Sequence, residues 1–256
     1  MKRIKTSWQP SCPGDGALTS KKIQAVILAG GLGTRLRPYT FMLPKPMLPV
    51  GEKPIIQHII DWVREAGIGE VIISTGYLGR IIEEYFRDGS EHGVRITYAT
   101  SPNPLGTAGQ LKAAERKIRG RFLCLYGDAL LKFDLQQLLS FHQSHHASAT
   151  ITLMKYSTEL RYGFLETDAS GRLTEWKEKP KVTGYINVGC YVMEKRFLSY
   201  MPPNTMFGMD TAFELARKAG EMVCGAKVEG EFLDIGDRKS YKDANDLYVK
   251  RIGKVL

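Results

Sequence analysis

From Ile23 onward, short apolar runs alternate with amphipathic segments long enough to be helices, and this beat restricts the fold more than any other feature of the chain. Ile23–Ala29 (IQAVILA) is almost wholly apolar and ends in glycines, so it reads as a buried strand. Pro54 then opens a helix in which Ile55, Ile56, Ile59, Ile60 and Val63 share one face, and Gly67 stops it. The same reading gives a strand over Val71–Ser74, a helix over Leu78–Phe86, a strand over Val94–Ala99 and a helix over Thr107–Ile118. A strand over Arg121–Tyr126, a helix over Leu135–His142 and a strand over Ala149–Met154 follow. Parallel strands need a crossover of helix length between them, so the alternation predicts a doubly wound, mainly parallel α/β sheet. Beyond Met154 the rhythm shifts to short strands (Gly163–Thr167, Leu173–Lys177, Tyr185–Met193), with helices near Asp210–Ala219 and Lys239–Val249. This β-rich second half is expected to lie against the first sheet.

A chain of 256 residues can bury roughly 70–75% of its unfolded surface, so no disulfide or metal staple is required. No linker, repeat or shift of composition divides residues 23–256, which are read as one domain. Residues 1–22, with Pro10, Pro13, Gly14 and Gly16 among Ser, Thr and Lys, read as a flexible extension. No apolar run reaches the roughly 20 residues of a membrane span, and no apolar stretch follows Lys2, Arg3 and Lys5 as a secretory signal would require. Cys12, Cys124, Cys190 and Cys224 are scattered with no C-x-x-C pair, which suits the reduced cytoplasm. Cys124 and Cys190 sit in apolar strand patterns as small core residues. The net charge of +9 is spread along the chain, without the basic block or interleaved aromatics of a nucleic-acid binder. It suits a soluble surface or a cleft that attracts polyphosphate. His142, His145 and His146 (FHQSHH) end a polar helix, suit its negative end and lack a partner cluster for metal.

The strongest local signal is Leu28–Thr40 (LAGGLGTRLRPYT) followed by PKPMLPV from Pro44 to Val50. A glycine-rich turn after a first strand lets backbone N–H groups approach phosphate or a base edge. A Walker A loop is absent, and the dinucleotide fingerprint fails because Leu36 stands where its third glycine belongs. The loop instead carries Arg35, and Lys45 follows between two prolines; a planar fork and a compact charge together suit a triphosphate. Asp128 follows the apolar run FLCLY, at the carboxyl edge where open α/β sheets bind ligands, and Asp234 ends Phe232–Leu233. Two carboxylates at separate strand ends can hold Mg²⁺ against phosphate oxygens.

With these residues the chain resembles the sugar-1-phosphate nucleotidyltransferases, or nucleotide-sugar pyrophosphorylases, from about Ile23 to Asp246. Besides the signature loop, the resemblance is carried in order by Pro104–Gln110 (PLGTAGQ), Gly127–Asp128, Tyr162–Leu165 (YGFL), Glu178–Pro180 (EKP), Asn187–Tyr191 (NVGCY) and Leu233–Gly236 (LDIG). It implies a Rossmann-like mixed sheet whose second half forms the sugar side, and transfer of a nucleotidyl group from a nucleoside triphosphate to a sugar 1-phosphate with release of pyrophosphate. By resemblance, Asp128 and Asp234 hold Mg²⁺, Arg35 and Lys45 hold the triphosphate, and Lys179 holds the sugar phosphate. The nucleotide is expected against Leu28, Ala29, Gly30, Gly31, Gly33 and Thr34, with the base reaching Ser101, Gly106 and Thr107. The sugar is expected over Gly163, Glu178 and Asn187.

PKPMLPV is closer to guanylyltransferase-like members than to the SKQLLP or PKEMLP of thymidylyl and uridylyl enzymes, and Ser101 stands where those often carry Gln. LDIGD replaces a common LDIGT. GTP with mannose 1-phosphate is therefore the first expectation; UTP, dTTP or CTP with glucose 1-phosphate, or a heptose 1-phosphate, are alternatives. A rival of another class is a silent paralogue that binds nucleotide sugar and regulates a partner. The hexapeptide repeats that longer relatives append do not occur in these residues, so a single activity is expected, and a homo-oligomer stays open.

Overall fold

The computed structural model describes residues 23–101 and 103–252, the last two by backbone alone. The extension expected over residues 1–22, including Cys12, lies outside the described residues.

The strand β1 (Gln24–Leu28) is followed by the signature loop and by a minimal hairpin, β2 (Pro49–Val50) and β3 (Lys53–Pro54). Pro54 caps α1 (Ile55–Glu65), and the five predicted apolar side chains of this helix are all buried. Gly67, in the left-handed region at φ 86°, donates back to the Arg64 carbonyl and ends the helix as expected. Next come β4 (Glu70–Thr75), α2 (Gly79–Phe86), β5 (Arg95–Thr100) and α3 (Gly106–Ala113). The helix expected to reach Ile118 stops five residues earlier and continues as a separate 3-10 turn over Glu115–Lys117.

The chain then forms β6 (Phe122–Tyr126), β7 (Ala129–Lys132) and α4 (Leu135–Ser144), which Asp134 caps through the N–H groups of Gln136 and Gln137. The second half contributes β8 (Ala149–Glu159), β9 (Phe164–Thr167), β10 (Leu173–Lys177), β11 (Lys181–Met193), α5 (Met209–Lys218), β12 (Val223–Val228), β13 (Glu231–Asp234) and α6 (Arg238–Ile252).

Seven strands make one sheet in the order β12-β8-β11-β6-β1-β4-β5, with β11 alone running against the others. The mainly parallel α/β fold is thus present, with one change to the expected layout. The strands β8, β11 and β12 of the second half do not cover the first sheet; they extend it beyond β6. The reason is legible in β11, whose C-terminal half is apolar on both faces. Val188, Cys190 and Val192 enter one core, while Tyr191 and Met193 enter the other. A strand buried on both sides belongs inside a two-faced sheet. Neighbouring β1 alternates likewise, with Ala25 and Ile27 in the first core and Val26 and Leu28 in the second. Helices α1, α2, α4 and α6 supply the first core, α3 and α5 the second. Among the described residues no helix is long and apolar enough to cross a membrane.

Cys124 and Cys190 are fully buried free thiols on adjacent strands, as expected. The histidines need a correction. His145 does meet the end of α4, its Nδ1 lying 2.8 Å from the Phe141 carbonyl oxygen. His142 instead points into the protein, wholly buried, with Nδ1 2.8 Å from Thr150 Oγ1 and Nε2 3.4 Å from Glu194 Oε1. Burial, reinforced by the charge of Arg121, pushes its pKa down to about 4, so it carries no charge to the helix end at neutral pH.

This burial makes stability depend on pH. The unfolded chain takes up a proton near pH 6.5, whereas the folded chain resists until about pH 4. Stability present above pH 6.5 is therefore lost as pH falls through this window, by about 3 kcal/mol in full. Urea midpoints measured from pH 7 to pH 4 should fall for the native chain and follow a flatter course in His142→Gln.

Candidate active site

Three parallel strands, β1, β4 and β6, end at the same edge of the sheet, and their backbones stay joined past the last strand residue. The Gly127 N–H donates to the Leu28 carbonyl at 2.9 Å, and the Ala29 N–H donates to Ser74 at 2.8 Å. The signature loop leaves β1 from this seam. Leu28 and Ala29 are buried, so they can offer a ligand backbone groups only, while Gly31, Thr34 and Arg35 are exposed. Gly33 sits at φ 60°, where a Cβ would fall 2.9 Å from Thr40 Cγ2 and 3.1 Å from Lys45 Cβ. Thr40 holds the turn by donating to the Gly33 carbonyl at 2.9 Å.

The two prolines around Lys45 give a short 3-10 turn that is buried throughout, and it delivers the lysine from beneath the loop. Lys45 Nζ lies 2.6 Å from Asp128 Oδ2; the lysine side chain is 9% exposed and the aspartate 37%. Antiparallel pairing of β7 and β13 sets Asp234 opposite Ala129, and the Ile235 N–H donates to the Asp128 carbonyl at 3.2 Å. The predicted carboxylates are thereby neighbours. Partial burial and then the charge of Asp128 raise the Asp234 pKa, while Lys45 and Arg35 pull it back. Arg35, on the 3-10 turn Thr34–Leu36, thus acts on the same centre. One oxygen of Asp128 is held by Lys45, and like charge crowds the two carboxylates. This donor set fits a hard cation that takes one or two carboxylates and completes its shell with water and phosphate oxygens. Among the described residues no cluster of three or more His, Cys, Asp or Glu side chains could hold a metal by itself.

Ser101 is buried and ties the loop before α3 to the end of β4: its N–H donates to the Thr75 carbonyl at 3.0 Å and its hydroxyl to the Asn103 carbonyl at 3.1 Å. Gly106 and Thr107 begin α3, where the Ala108 and Gly109 N–H groups are taken by the Phe207 carbonyl and the Thr107 hydroxyl accepts from Met209 N. Two side chains next to this loop carry no role in the sequence reading. Gln110 Oε1 accepts the Gly30 N–H at 2.8 Å. Tyr126 lies beside the hydroxyls of Thr107 and Tyr191, the two tyrosine rings meeting edge-on at 5.7 Å.

That tyrosine pair leads to Asn187. Its Nδ2 donates to the Tyr191 hydroxyl at 2.8 Å and its Oδ1 accepts from Gly189 N at 2.9 Å, at the point where the β8–β11 register slips. Gly163, Glu178 and Lys179 form a separate group on the β9–β10 ribbon. Glu178 accepts from Trp176 Nε1 at 3.2 Å, and a Cβ on Gly163 would fall 2.8 Å from Glu178 Oε2. Lys179 is exposed with φ 44°, an unusual backbone state for a side-chain-bearing residue. Among the described residues no hydrogen bond or ion pair joins this ribbon group to Asp128 or Asp234. The predicted residues therefore fall into a tight centre (Arg35, Lys45, Asp128, Asp234), a linked flank (Thr107, Asn187) and a ribbon.

Comparison with known proteins gives the family and the fold. The family model described as "Nucleotidyl transferase" matches residues 24–251. A mannose-1-phosphate guanylyltransferase of Mycobacterium tuberculosis is 38% identical over 188 residues, covering 72% of this chain and 52% of that protein. A D-glycero-alpha-D-manno-heptose 1-phosphate guanylyltransferase of Aneurinibacillus thermoaerophilus is 35% identical, covering 87% of this chain and 96% of that one. The chain thus spans about half the length of the first relative and nearly all of the second. Among solved structures, HddC of Yersinia pseudotuberculosis has a TM-score of 0.71 at 25% identity, covering 88% of this chain and 99% of that chain. Because that family model spans nearly all of the described residues, the chain belongs to the nucleotidyl transferase family.

Proposed function

We propose that residues 23–256 form one catalytic domain that joins a nucleoside triphosphate to a sugar 1-phosphate, giving a nucleotide sugar and pyrophosphate. The observation that carries this reading is the Lys45–Asp128 contact beside Asp234 and Arg35, at the mouth of a glycine-rich loop. GTP with mannose 1-phosphate is the preferred pair. The guanylyltransferase relatives support the base, and one of them acts on a heptose 1-phosphate, which keeps that sugar as the second candidate. The three described cysteines are free thiols, in keeping with a cytoplasmic enzyme.

In the reaction an oxygen of the sugar phosphate attacks the α-phosphorus in line while the bond to pyrophosphate breaks. The nucleophile is already an anion, so no general base is needed; the obstacle is repulsion between two phosphates. Catalysis then rests on position and charge. Lys45 orients Asp128 through their 2.6 Å contact, Arg35 neutralises the triphosphate, and Lys179 meets the sugar phosphate. Mg²⁺, held by Asp128 and Asp234, supplies further positive charge to the phosphate oxygens when bound. Backbone groups of Leu28–Gly31 and of Gly106 give the base close contact, and Asn187, Glu178 and Gly163 face the sugar hydroxyls.

Asp128→Asn and Lys45→Ala should leave the fold intact, by circular dichroism, and lower turnover at least a hundredfold, a loss of about 3–4 kcal/mol of transition-state stabilisation. Pyrophosphate release across five nucleoside triphosphates and the 1-phosphates of mannose, glucose, galactose, N-acetylglucosamine and a heptose should appear for one or two pairs, vanish with EDTA and return with Mg²⁺. Silence of the folded protein across this grid, with nucleotide sugar still bound, would instead identify the regulatory paralogue. Tyr191→Phe removes the acceptor that fixes Asn187 and should raise the KM for sugar phosphate about fivefold, leaving the KM for nucleotide unchanged.

A further inference from the structure

Gln110 lies in the second turn of α3, the helix that packs on β1 and β4 beside the signature loop. Its seat is fixed twice. The main-chain carbonyl accepts the Ser74 hydroxyl at 3.0 Å, and the side-chain Oε1 accepts the Gly30 N–H at 2.8 Å. A backbone N–H can only donate, so this second bond decides which end of the amide faces the loop. The carbonyl end is held by Gly30, and the NH2 end must point elsewhere. Among the described residues Nε2 has no hydrogen-bond partner in the protein, and it is not among the sealed, unsatisfied atoms. Half-buried Gln110 thus keeps two amide donors that no described protein group takes and that are not sealed from solvent. Next to it the loop borders open space, since a Cβ on Gly31 would meet no atom within 4 Å.

We propose that Gln110 is a base-selecting residue, whose Nε2 favours nucleobases that present a carbonyl oxygen (guanine O6, uracil or thymine O4) over those that present an amino group (adenine N6, cytosine N4). This rests on the reading above that the base lies against Leu28–Gly31. An amino base meets donor against donor. Turning the amide over would satisfy that base but set Nε2 against the Gly30 N–H, so the mismatch moves to the loop and is not removed. Selection comes from a backbone donor that no side-chain rotation can change.

The test is equilibrium titration of the full chain with GTP, UTP, ATP and CTP, followed by intrinsic fluorescence, for the native protein, Gln110→Glu and Gln110→Leu. All four ligands share one triphosphate, so ratios between them cancel any change in phosphate binding. The native chain should bind GTP or UTP about 10–100-fold tighter than ATP and CTP. Glutamate can still accept from Gly30 but turns an acceptor outward, so in Gln110→Glu the ratio should fall at least tenfold or invert. Gln110→Leu should shrink the ratio by weakening the carbonyl bases alone, and it decides the matter if the glutamate variant does not fold. An unchanged ratio in the folded variants, or a native preference for ATP or CTP, overturns the inference and leaves the nucleotidyl-transfer reading standing. Failure of the native chain to bind any of the four overturns both.

Discussion

Burial of β1 on both faces is the constraint from which the rest of the molecule follows. A strand with Ala25 and Ile27 facing one core and Val26 and Leu28 facing the other must be covered twice. Helices on both faces require crossovers, and crossovers make its neighbours β4 and β6 parallel to it. Parallel strands all end at one edge, so their carboxyl-end loops converge without any further instruction. The seam of Gly127 to Leu28 and Ala29 to Ser74 is that convergence continued by two hydrogen bonds past the strands. Polar chemistry excluded from so apolar a sheet accumulates at that edge, and both the signature loop and Asp128 emerge there.

The second carboxylate reaches the edge by a different route. Asp234 is carried by β13, which among the described residues pairs only with β7 and takes no place in the seven-stranded sheet. This two-stranded ribbon sets Asp234 opposite Ala129, one residue from Asp128. The spacing of the two acids is therefore held by backbone hydrogen bonds, while Lys45 fixes the near one by charge. On the proposed function, separating those duties leaves the second carboxylate to a cation.

Periodicity made the central strands and the amphipathic helices legible, because β1, β4, β6 and α1 bury continuous apolar runs or one clean stripe. It gave no warning of β7 and β12, which are only partly buried and owe their strand state to a partner. Asp128 and Asp234 were recognisable as strand-end acids within ordered motifs, but their adjacency depends on a pairing between segments about a hundred residues apart, which leaves no periodic trace. Gln110 stood in view within PLGTAGQ, yet its contact with Gly30 arises only when α3 lies across β1 and β4. His142 misled for the same reason. A polar helix end predicts a solvated imidazole, whereas Thr150 on β8 and Glu194 just beyond β11 draw it into the interior.

The electrostatics of the edge follow from these placements. Lys45 and Asp128 pair at 2.6 Å, and with the lysine nearly buried each cancels most of the other's field. What remains is Asp234, raised in pKa by burial and by its acidic neighbour, against the guanidinium of Arg35. A centre so balanced attracts neither a bare phosphate nor a bare cation strongly, but it fits the two together, since the carboxylates take the cation and Arg35 takes the remaining phosphate charge. Long-range attraction then falls to the chain's net charge of +9, which draws polyanions toward the whole surface at a rate sensitive to salt. On the proposed function, capture and chemistry then fall to different charges, the dispersed lysines and arginines for the first and four side chains at the sheet edge for the second.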